Sequence, residues 1–292
     1  MMRLTTHSLI AAVAYADVFD YPLTKAEVMR WAVGRSGNVS RMRGVESDGT
    51  YITLPGRKKI ITLRKSRERF AVTKWKRAKE ISRLFRYVPT VLLVGVTGGL
   101  AMDNAEEHDD IDLFFIVVPG ALWISRLIVT LLAEAAGVRR HPGEHQVADK
   151  VCLNMFMTED ALTLPKHEQD LFSAHEVLQM VPLWERGQAY RRLLFHNTWV
   201  KDFLPAAWRA KTSIMIRPDA KRYGWIWQWL GGLEYLAKAI QLTYMESRRT
   251  NEVISAGMIR FHPQDARVWV KKKFALRLKR LHIPLDKFFY HR

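Results

Sequence analysis

The sequence predicts an α+β protein with a mainly helical N-terminal unit, a central α/β core built on a small mixed sheet, and a helical C-terminal region. Near-continuous apolar runs at 91–95 and 111–118 of the 292-residue chain predict strands that are covered on both faces. Apolar residues recur at helical spacing in both flanks. These changes of pattern give three expected regions, at 1–88, 89–162 and 163–292.

Two helices are expected at the start of the N-terminal unit. Apolar and small residues at helical spacing predict the first over 6–16. Thr24 and Glu27 then form a capping box, which predicts the beginning of a second helix. Gly34 is a reasonable residue to end it.

A hairpin and a long basic helix are expected next. The β-like runs 51–54 and 60–63 stand on either side of a Pro-Gly-Arg turn and predict a hairpin. Helix, helix and hairpin is the outline of a winged-helix module. Residues 64–87 then predict a long helix in which Lys and Arg fill one side.

The central region predicts strand, loop, strand, helix and strand. A helix is expected over 122–136 and a third strand over 151–157, which reads VCLNMFM. After about residue 162 the chain has helical character, interrupted by prolines. We therefore expect all the strands of the core before that point.

Asp110 and Asp112 are the candidate metal ligands. Residues i and i+2 of a strand point to the same side, so the two carboxylates converge at the start of the second core strand. Mg²⁺, or the similar Mn²⁺, binds such oxygen ligands together with substrate phosphates. The pair therefore predicts a divalent cation site.

A glycine turn precedes the acidic pair. Gly98 and Gly99 follow the first core strand, where glycine lets backbone N–H groups approach a phosphate closely, and Thr97 adds a hydroxyl. A phosphate cradle beside a metal site is the geometry of metal-assisted nucleotidyl transfer. Asp110 and Asp112 are accordingly the expected catalytic residues, and an NTP is the expected substrate.

These residues resemble the signature of the DNA polymerase β-like nucleotidyltransferase superfamily, in which a Gly-Gly or Gly-Ser pair precedes Asp-x-Asp. Gly98 and Gly99 match the first part, and Asp110 and Asp112 match the second. Over most of 10–205 the chain also looks like an uncharacterised bacterial and archaeal family with an N-terminal winged helix. The resemblance implies Mg²⁺-dependent transfer of a nucleoside monophosphate from an NTP to an acceptor that the sequence does not identify.

One position departs from the superfamily pattern. A third carboxylate is usual on the later core strand, where this chain has Asn154. Asn154 is thus the expected third metal position, with a carbonyl oxygen but no charge, and Asp149 and Glu159 are the alternatives. Because a third carboxylate is missing, the second hypothesis for function is a catalytically degenerate protein that senses nucleotides or binds nucleic acid as a regulator.

The net charge of +17 is unevenly distributed. Residues 1–90 hold 19 Lys and Arg against 7 Asp and Glu, residues 91–200 hold 8 against 15, and residues 201–292 hold 19 against 7. Basic ends indicate a nucleic-acid partner, with Arg57–Lys59 at the wing and 267–280 as a basic helix. Solvated helix faces explain the same charges equally well.

The remaining features concern compartment and weaker sites. A single cysteine, Cys152, is expected in the core, and its isolation together with the lack of a secretory signal favours a cytoplasmic protein. The apolar stretch 224–245 contains too many polar residues for a transmembrane helix. His141 and His145 are poorly spaced for zinc. The pair His175-Glu176 is expected on a helix that packs near the site and is interpreted as structural rather than catalytic.

Overall fold

The structure, a computed structural model, describes residues 2–34, 42–213, 231–246, 253–260 and 266–284. In chain order its elements are α1 Met2–Ala16, β1 Leu23–Thr24, α2 Lys25–Arg30, β2 Glu46–Ser47, β3 Tyr51–Thr53, α3 Lys59–Phe85, β4 Val91–Val96, β5 Ile111–Val117, α4 Leu122–Ala135, β6 Val151–Thr158, α5 Leu171–Gln179, β7 Val181–Glu185, α6 Ala189–His196, α7 Val200–Phe203, α8 Pro205–Thr212, α9 Gly231–Glu246, β8 Val253–Ile254, β9 Met258–Arg260 and α10 Ala266–Arg280.

The central sheet is mixed and has the order β7-β4-β5-β6-β9-β8. Strands β5 and β6 are parallel, and the other neighbours are antiparallel. A parallel pair needs a crossover, which α4 provides between β5 and β6. The α+β class expected from the sequence is confirmed.

Both faces of this sheet are buried. Along β5, Leu113 and Phe115 belong to one apolar cluster and Phe114 and Ile116 belong to the other. The first cluster lies under α3, α4 and α9, and Phe115 stacks on Phe156 with ring centroids 4.5 Å apart. The second cluster lies under α1, α5 and the helices around them. The continuous apolar runs follow from this double cover.

Three strands of the sheet come from the region expected to be helical, so that expectation was wrong. β7 extends the β4 edge, and β8 and β9 extend the β6 edge. β7 contains Pro182, and β8 and β9 have two and three residues. Segments this short carry too little periodicity to predict, because their conformation is set by pairing with an existing edge.

The N-terminal unit combines α1 and α2 with a three-stranded sheet, β1-β3-β2. The capping box of Thr24 and Glu27 is present, although α2 ends at Arg30. The hairpin expected between 51–54 and 60–63 was wrong. β3 pairs with β1 and β2, and residues 60–63 form the first turns of α3.

Helix α3 holds the loop between β4 and β5 in place. The ammonium group of Lys74, which is 2 % exposed, donates to the carbonyls of Glu107 and Asp109 at 3.0 and 2.6 Å and to Asp149 Oδ1 at 2.9 Å. Trp75 Nε1 donates to Asp103 at 2.6 Å. These contacts fix the chain immediately before Asp110.

Helix α9 forms most of the apolar stretch 224–245, and residues 224–230 lie outside the described residues. Its Glu234 accepts hydrogen bonds from the N–H groups of Trp123 and Ile124, at the start of α4, at 2.8 and 2.9 Å. Such a carboxylate compensates unpaired N–H groups at a helix N-terminus. In the described parts of the chain, every helix is too short or too polar to cross a membrane.

We expect Lys74→Met to lower the free energy of unfolding by about 1 to 3 kcal/mol, because the substitution removes a buried donor from three partly buried hydrogen bonds. Lys76→Met is the matched control, since Lys76 lies on the exposed side of the same helix and should change stability by less than about 0.5 kcal/mol. Urea denaturation of both variants measures the difference. Equal stability of the two variants would refute the structural role of Lys74.

Candidate functional site

The acidic pair lies where the loop after β4 meets the parallel strands β5 and β6. Asp112 pairs in register with Cys152 of β6, and its carbonyl accepts a hydrogen bond from Thr97 N at 3.0 Å. Ligand atoms of Asp110, Asp112 and Cys152 all lie within 4.8 Å of one another. Among the described residues, this is the one group of three or more His, Cys, Asp and Glu with that spacing.

The pair carries more negative charge than its surroundings neutralise. Arg140 Nη1 donates to Asp110 Oδ2 at 2.6 Å, in a partly exposed ion pair. Asp112 has no cation of its own at this distance among the described residues. Burial, the charge of Asp110 and the charge of Glu176 together raise the pKa of Asp112. A bound cation would remove this penalty.

Cys152 is part of the site rather than of the core, which corrects the expectation for it. Its thiol hydrogen-bonds Asp112, and burial followed by the charges of Asp112 and Asp110 raises its pKa. The thiol therefore stays protonated and donates to the carboxylate. The two carboxylates are the oxygen ligands that a hard divalent cation prefers.

The glycine turn packs directly against Asp112. Gly98 has a φ of +67°, and a Cβ at this position would lie 2.5 Å from Asp112 Oδ2. Gly98 and Gly99 are exposed to solvent. Within the described residues, the Oγ1 atom of Thr97 is buried without a hydrogen-bond partner. The structure thus brings the turn Thr97–Gly99 next to Asp112.

Two adjoining cavities open beside the pair. The larger, of about 240 Å³, is lined by Gly98, Gly99, Asp112 and Asn154 together with aromatic residues of the N-terminal unit. The smaller, of about 100 Å³, is lined by Thr97 and also by Asn154. Asn154 is the extra residue at a register shift between β5 and β6. Such irregularities re-aim a side chain near functional sites.

The alternatives to Asn154 as a third ligand are engaged elsewhere. Asp149 pairs with Lys74, and the buried carboxylate of Glu159 pairs with Arg192. The carboxyl group that lines both cavities is that of Glu176, on α5. The sequence places His175-Glu176 on a helix after Asp170 that packs near the site, and it favours a structural role over a catalytic one. The structure brings Glu176 to both cavities.

The donor set fits a divalent cation of the magnesium type, since it offers two converging carboxylates and a neutral thiol that supports one of them. Comparison with known proteins adds no relative: no family model, no curated protein and no solved structure matches this chain. What the site does is inferred from its own side chains.

His141 pairs with Glu134 at 3.2 Å and is not part of a metal cluster among the described residues.

Much of the basic charge is used inside the molecule. Arg57, expected at the wing, pairs with Asp17 and Asp20 at the turn into α3. The turn between β2 and β3 carries Asp48 instead. On α10, three basic residues pair with buried carboxylates: Arg267 with Glu168 and Asp170, Lys271 with Asp170, and Arg277 with Asp17. Nucleic-acid binding through the remaining exposed charges stays a prediction.

We expect Gly98→Ala to weaken Mn²⁺ binding at least about 10-fold, because its methyl group would displace the carboxylate of Asp112. Gly120→Ala is the matched control: its φ is +74°, but a Cβ there meets nothing within 4 Å. Both variants suffer the same backbone strain, about 1 to 2 kcal/mol. Titration with Mn²⁺ followed by electron paramagnetic resonance measures the affinity. Equal Mn²⁺ affinities in the two variants would contradict the geometry.

Glu176 should make stability depend on pH. Burial raises the pKa of Glu176 from 4.5 to about 7. Between these two pKa values the folded state holds a proton that the unfolded state releases. The stability that protonated Glu176 contributes is therefore fully present below pH 4.5 and is lost as the pH rises through about 7. Glu176→Gln, which cannot ionise, should exceed the wild type in stability by about 2 to 3 kcal/mol at pH 8 and by much less at pH 5.

Urea denaturation without divalent cations measures this difference at both pH values. Glu246→Gln, which alters an exposed carboxylate of α9, is the control and should follow the wild type. A constant offset between Glu176→Gln and the wild type from pH 5 to pH 8 would show that Glu176 does not titrate in this way.

Proposed function

We propose that this protein binds an NTP with a divalent cation and transfers its nucleoside monophosphate to an acceptor. The observation that supports this most strongly is the contact between the glycine turn and the acidic pair. Because any side chain at position 98 would place a Cβ 2.5 Å from Asp112 Oδ2, only glycine leaves room there for this carboxylate. A polyphosphate-binding turn and a cation site are thereby joined into one surface.

The cation of this proposal is Mg²⁺ or Mn²⁺. Asp110 and Asp112 would hold it, and when bound it would neutralise charge on the phosphates and polarise them toward attack. Arg140 orients Asp110 through one oxygen, at 2.6 Å. The thiol of Cys152 and the N–H of Thr97 keep Asp112 in place. The chain therefore positions both carboxylates before any ligand arrives.

The phosphates would lie against the Thr97–Gly99 turn. Both glycines face solvent, and Gly98 adopts a left-handed backbone conformation. Successive N–H groups in such a turn form an anion-binding concavity. The hydroxyl of Thr97, which is buried without a hydrogen-bond partner among the described residues, is a further donor beside the turn, at the adjoining smaller cavity.

Glu176 is the group proposed to accept a proton from the acceptor hydroxyl. It lines both cavities beside Asp112, and burial raises its pKa to about 7. A general base is most effective when its pKa lies near the working pH. On this reading, Glu176 supplies from a helix the carboxylate that β6 lacks at Asn154.

The second candidate function is a nucleotide sensor without turnover. It is favoured by Asn154, which has no charge at the strand position where the superfamily usually has a carboxylate. In either case we propose that the N-terminal unit is winged-helix-like, and its support is the combination of α1 and α2 with the three-stranded sheet. The exposed basic residues of α3 would then be the surface for nucleic acid.

Isothermal titration with Mg²⁺ and NTPs tests the binding proposal. We expect the double variant Asp110→Asn with Asp112→Asn to lose NTP binding at least about 100-fold, because the cation would have no charged ligand. The control is Asp160→Asn, an exposed carboxylate of the same region, which should bind like the wild type. NTP binding that does not need the cation, or that is unchanged in the double variant, would contradict both the nucleotidyltransferase and the nucleotide sensor.

Turnover separates the enzyme from the sensor. We expect labelled NTP to transfer its nucleotide to a component of cell extract in the presence of the wild type. Glu176→Gln should bind NTP normally and lose turnover at least about 100-fold. Tight NTP binding without transfer by the wild type would favour the sensor.

A further inference from the structure

The cavity of about 240 Å³ extends from the glycine turn away from the acidic pair and into the N-terminal unit. Its far wall is aromatic: Tyr15, Phe19, Tyr21 and Trp31 line it, and Phe172 of α5 lines the side toward the sheet. The volume lies below the range of about 300 to 1,000 Å³ that is common for sites of drug-sized ligands. It suits one ring system rather than a whole nucleotide.

The aromatic wall is arranged before any ligand binds. The rings of Tyr15 and His175 are stacked, with centroids 4.0 Å apart and an interplanar angle of 7°. Trp31 lies 5.1 Å from His175, and Phe19 lies 5.6 Å from Tyr15. Burial lowers the pKa of His175 to about 3, so this wall carries no charge at neutral pH.

The charge of the lining argues against phosphate in the aromatic part of this cavity, as distinct from its end at Gly98 and Asp112. Among the described residues that line it there is no lysine and no arginine, and Asp112 and Glu176 are its two carboxyl groups. Among the aromatic residues a phosphate would have no cationic partner, whereas an uncharged flat ring would be in contact with apolar and aromatic side chains. Base–aromatic contacts of this kind stabilise nucleic-acid bases on proteins.

Asn154 provides the polar recognition group. The residue is 8 % exposed and lines both cavities. A ligand that hydrogen-bonds this largely buried carboxamide gains both affinity and selectivity. A carboxamide places a donor beside an acceptor, which matches the paired groups on the edge of a nucleobase.

We infer that this cavity holds the nucleobase of the bound nucleotide, with Asn154 hydrogen-bonded to the edge of the base and the aromatic residues against its faces. The inference rests on the proposed function, because the Gly98 turn and Asp112, at one end of the cavity, would hold the phosphates. It assigns Asn154 to base recognition rather than to the cation. The protein would accordingly discriminate among the four bases.

Binding of ATP, GTP, CTP and UTP is compared with binding of inorganic tripolyphosphate, each with Mg²⁺, by isothermal titration. We expect the wild type to bind at least one NTP about 10- to 100-fold more tightly than tripolyphosphate. Asn154→Leu should abolish that preference and leave tripolyphosphate affinity unchanged. Phe172→Leu, on another wall, should weaken the same NTP several-fold, and thermal unfolding checks that each variant is folded.

Asn154→Asp separates base recognition from cation binding. A third carboxylate at the cation would raise the affinity for Mg²⁺ with tripolyphosphate, whereas base recognition predicts no gain and a loss of NTP preference. The inference is overturned, with the proposed function intact, if the wild type binds tripolyphosphate as tightly as every NTP, or if the variants change both affinities equally. Absence of binding by both NTP and tripolyphosphate overturns the inference and the proposed function together.

Discussion

The architecture of the site depends on one buried ammonium group. Lys74 reaches from α3 to two loop carbonyls before Asp110 and to Asp149 before β6, so a single side chain ties together the segments that lead into both parallel strands. A buried charge is tolerated only when its hydrogen-bonding capacity is satisfied, and here all three donor positions have an acceptor. These hydrogen bonds hold the acidic loop against α3, so that Asp110, just before β5, and Asp112, within it, lie beside β6.

The parallel pairing of β5 and β6 determines which side chains meet. Asp112 faces Cys152 in register, and the shift one residue later places Asn154 toward the cavities. Helix α5 supplies Glu176 and His175 from the opposite side, and α1 closes the space with Tyr15 stacked on His175. The site is thus built from three separate parts of the chain, and the carboxylates gather in a region whose own burial opposes their ionisation. A bound cation would relieve that opposition.

Local patterns predicted the parts of the fold that local physics controls. Apolar runs identified β4, β5 and β6, the capping box identified the start of α2, and the Gly98 turn with Asp110 and Asp112 identified the candidate site. The failures have a common cause, because β7, β8, β9 and the beginning of α3 take their conformation from distant partners. Ile60 and Ile61 look like strand residues, yet both lie in the first turn of α3 with their side chains buried. The sequence placed His175-Glu176 on a helix near the site but favoured a structural role for the pair. The aromatic wall was beyond reach because only tertiary packing brings it to Asp112.

The central claim is that Asp110, Asp112 and the glycine turn form one site for a divalent cation and a polyphosphate. Electron–nuclear double resonance of Mn²⁺ bound to the protein with ATP tests this directly. A phosphorus coupling typical of direct coordination is expected in the wild type, together with Mn²⁺ release in Asp112→Asn. A Mn²⁺ centre that lacks any phosphorus coupling, or one that persists unchanged in Asp112→Asn, would contradict the account.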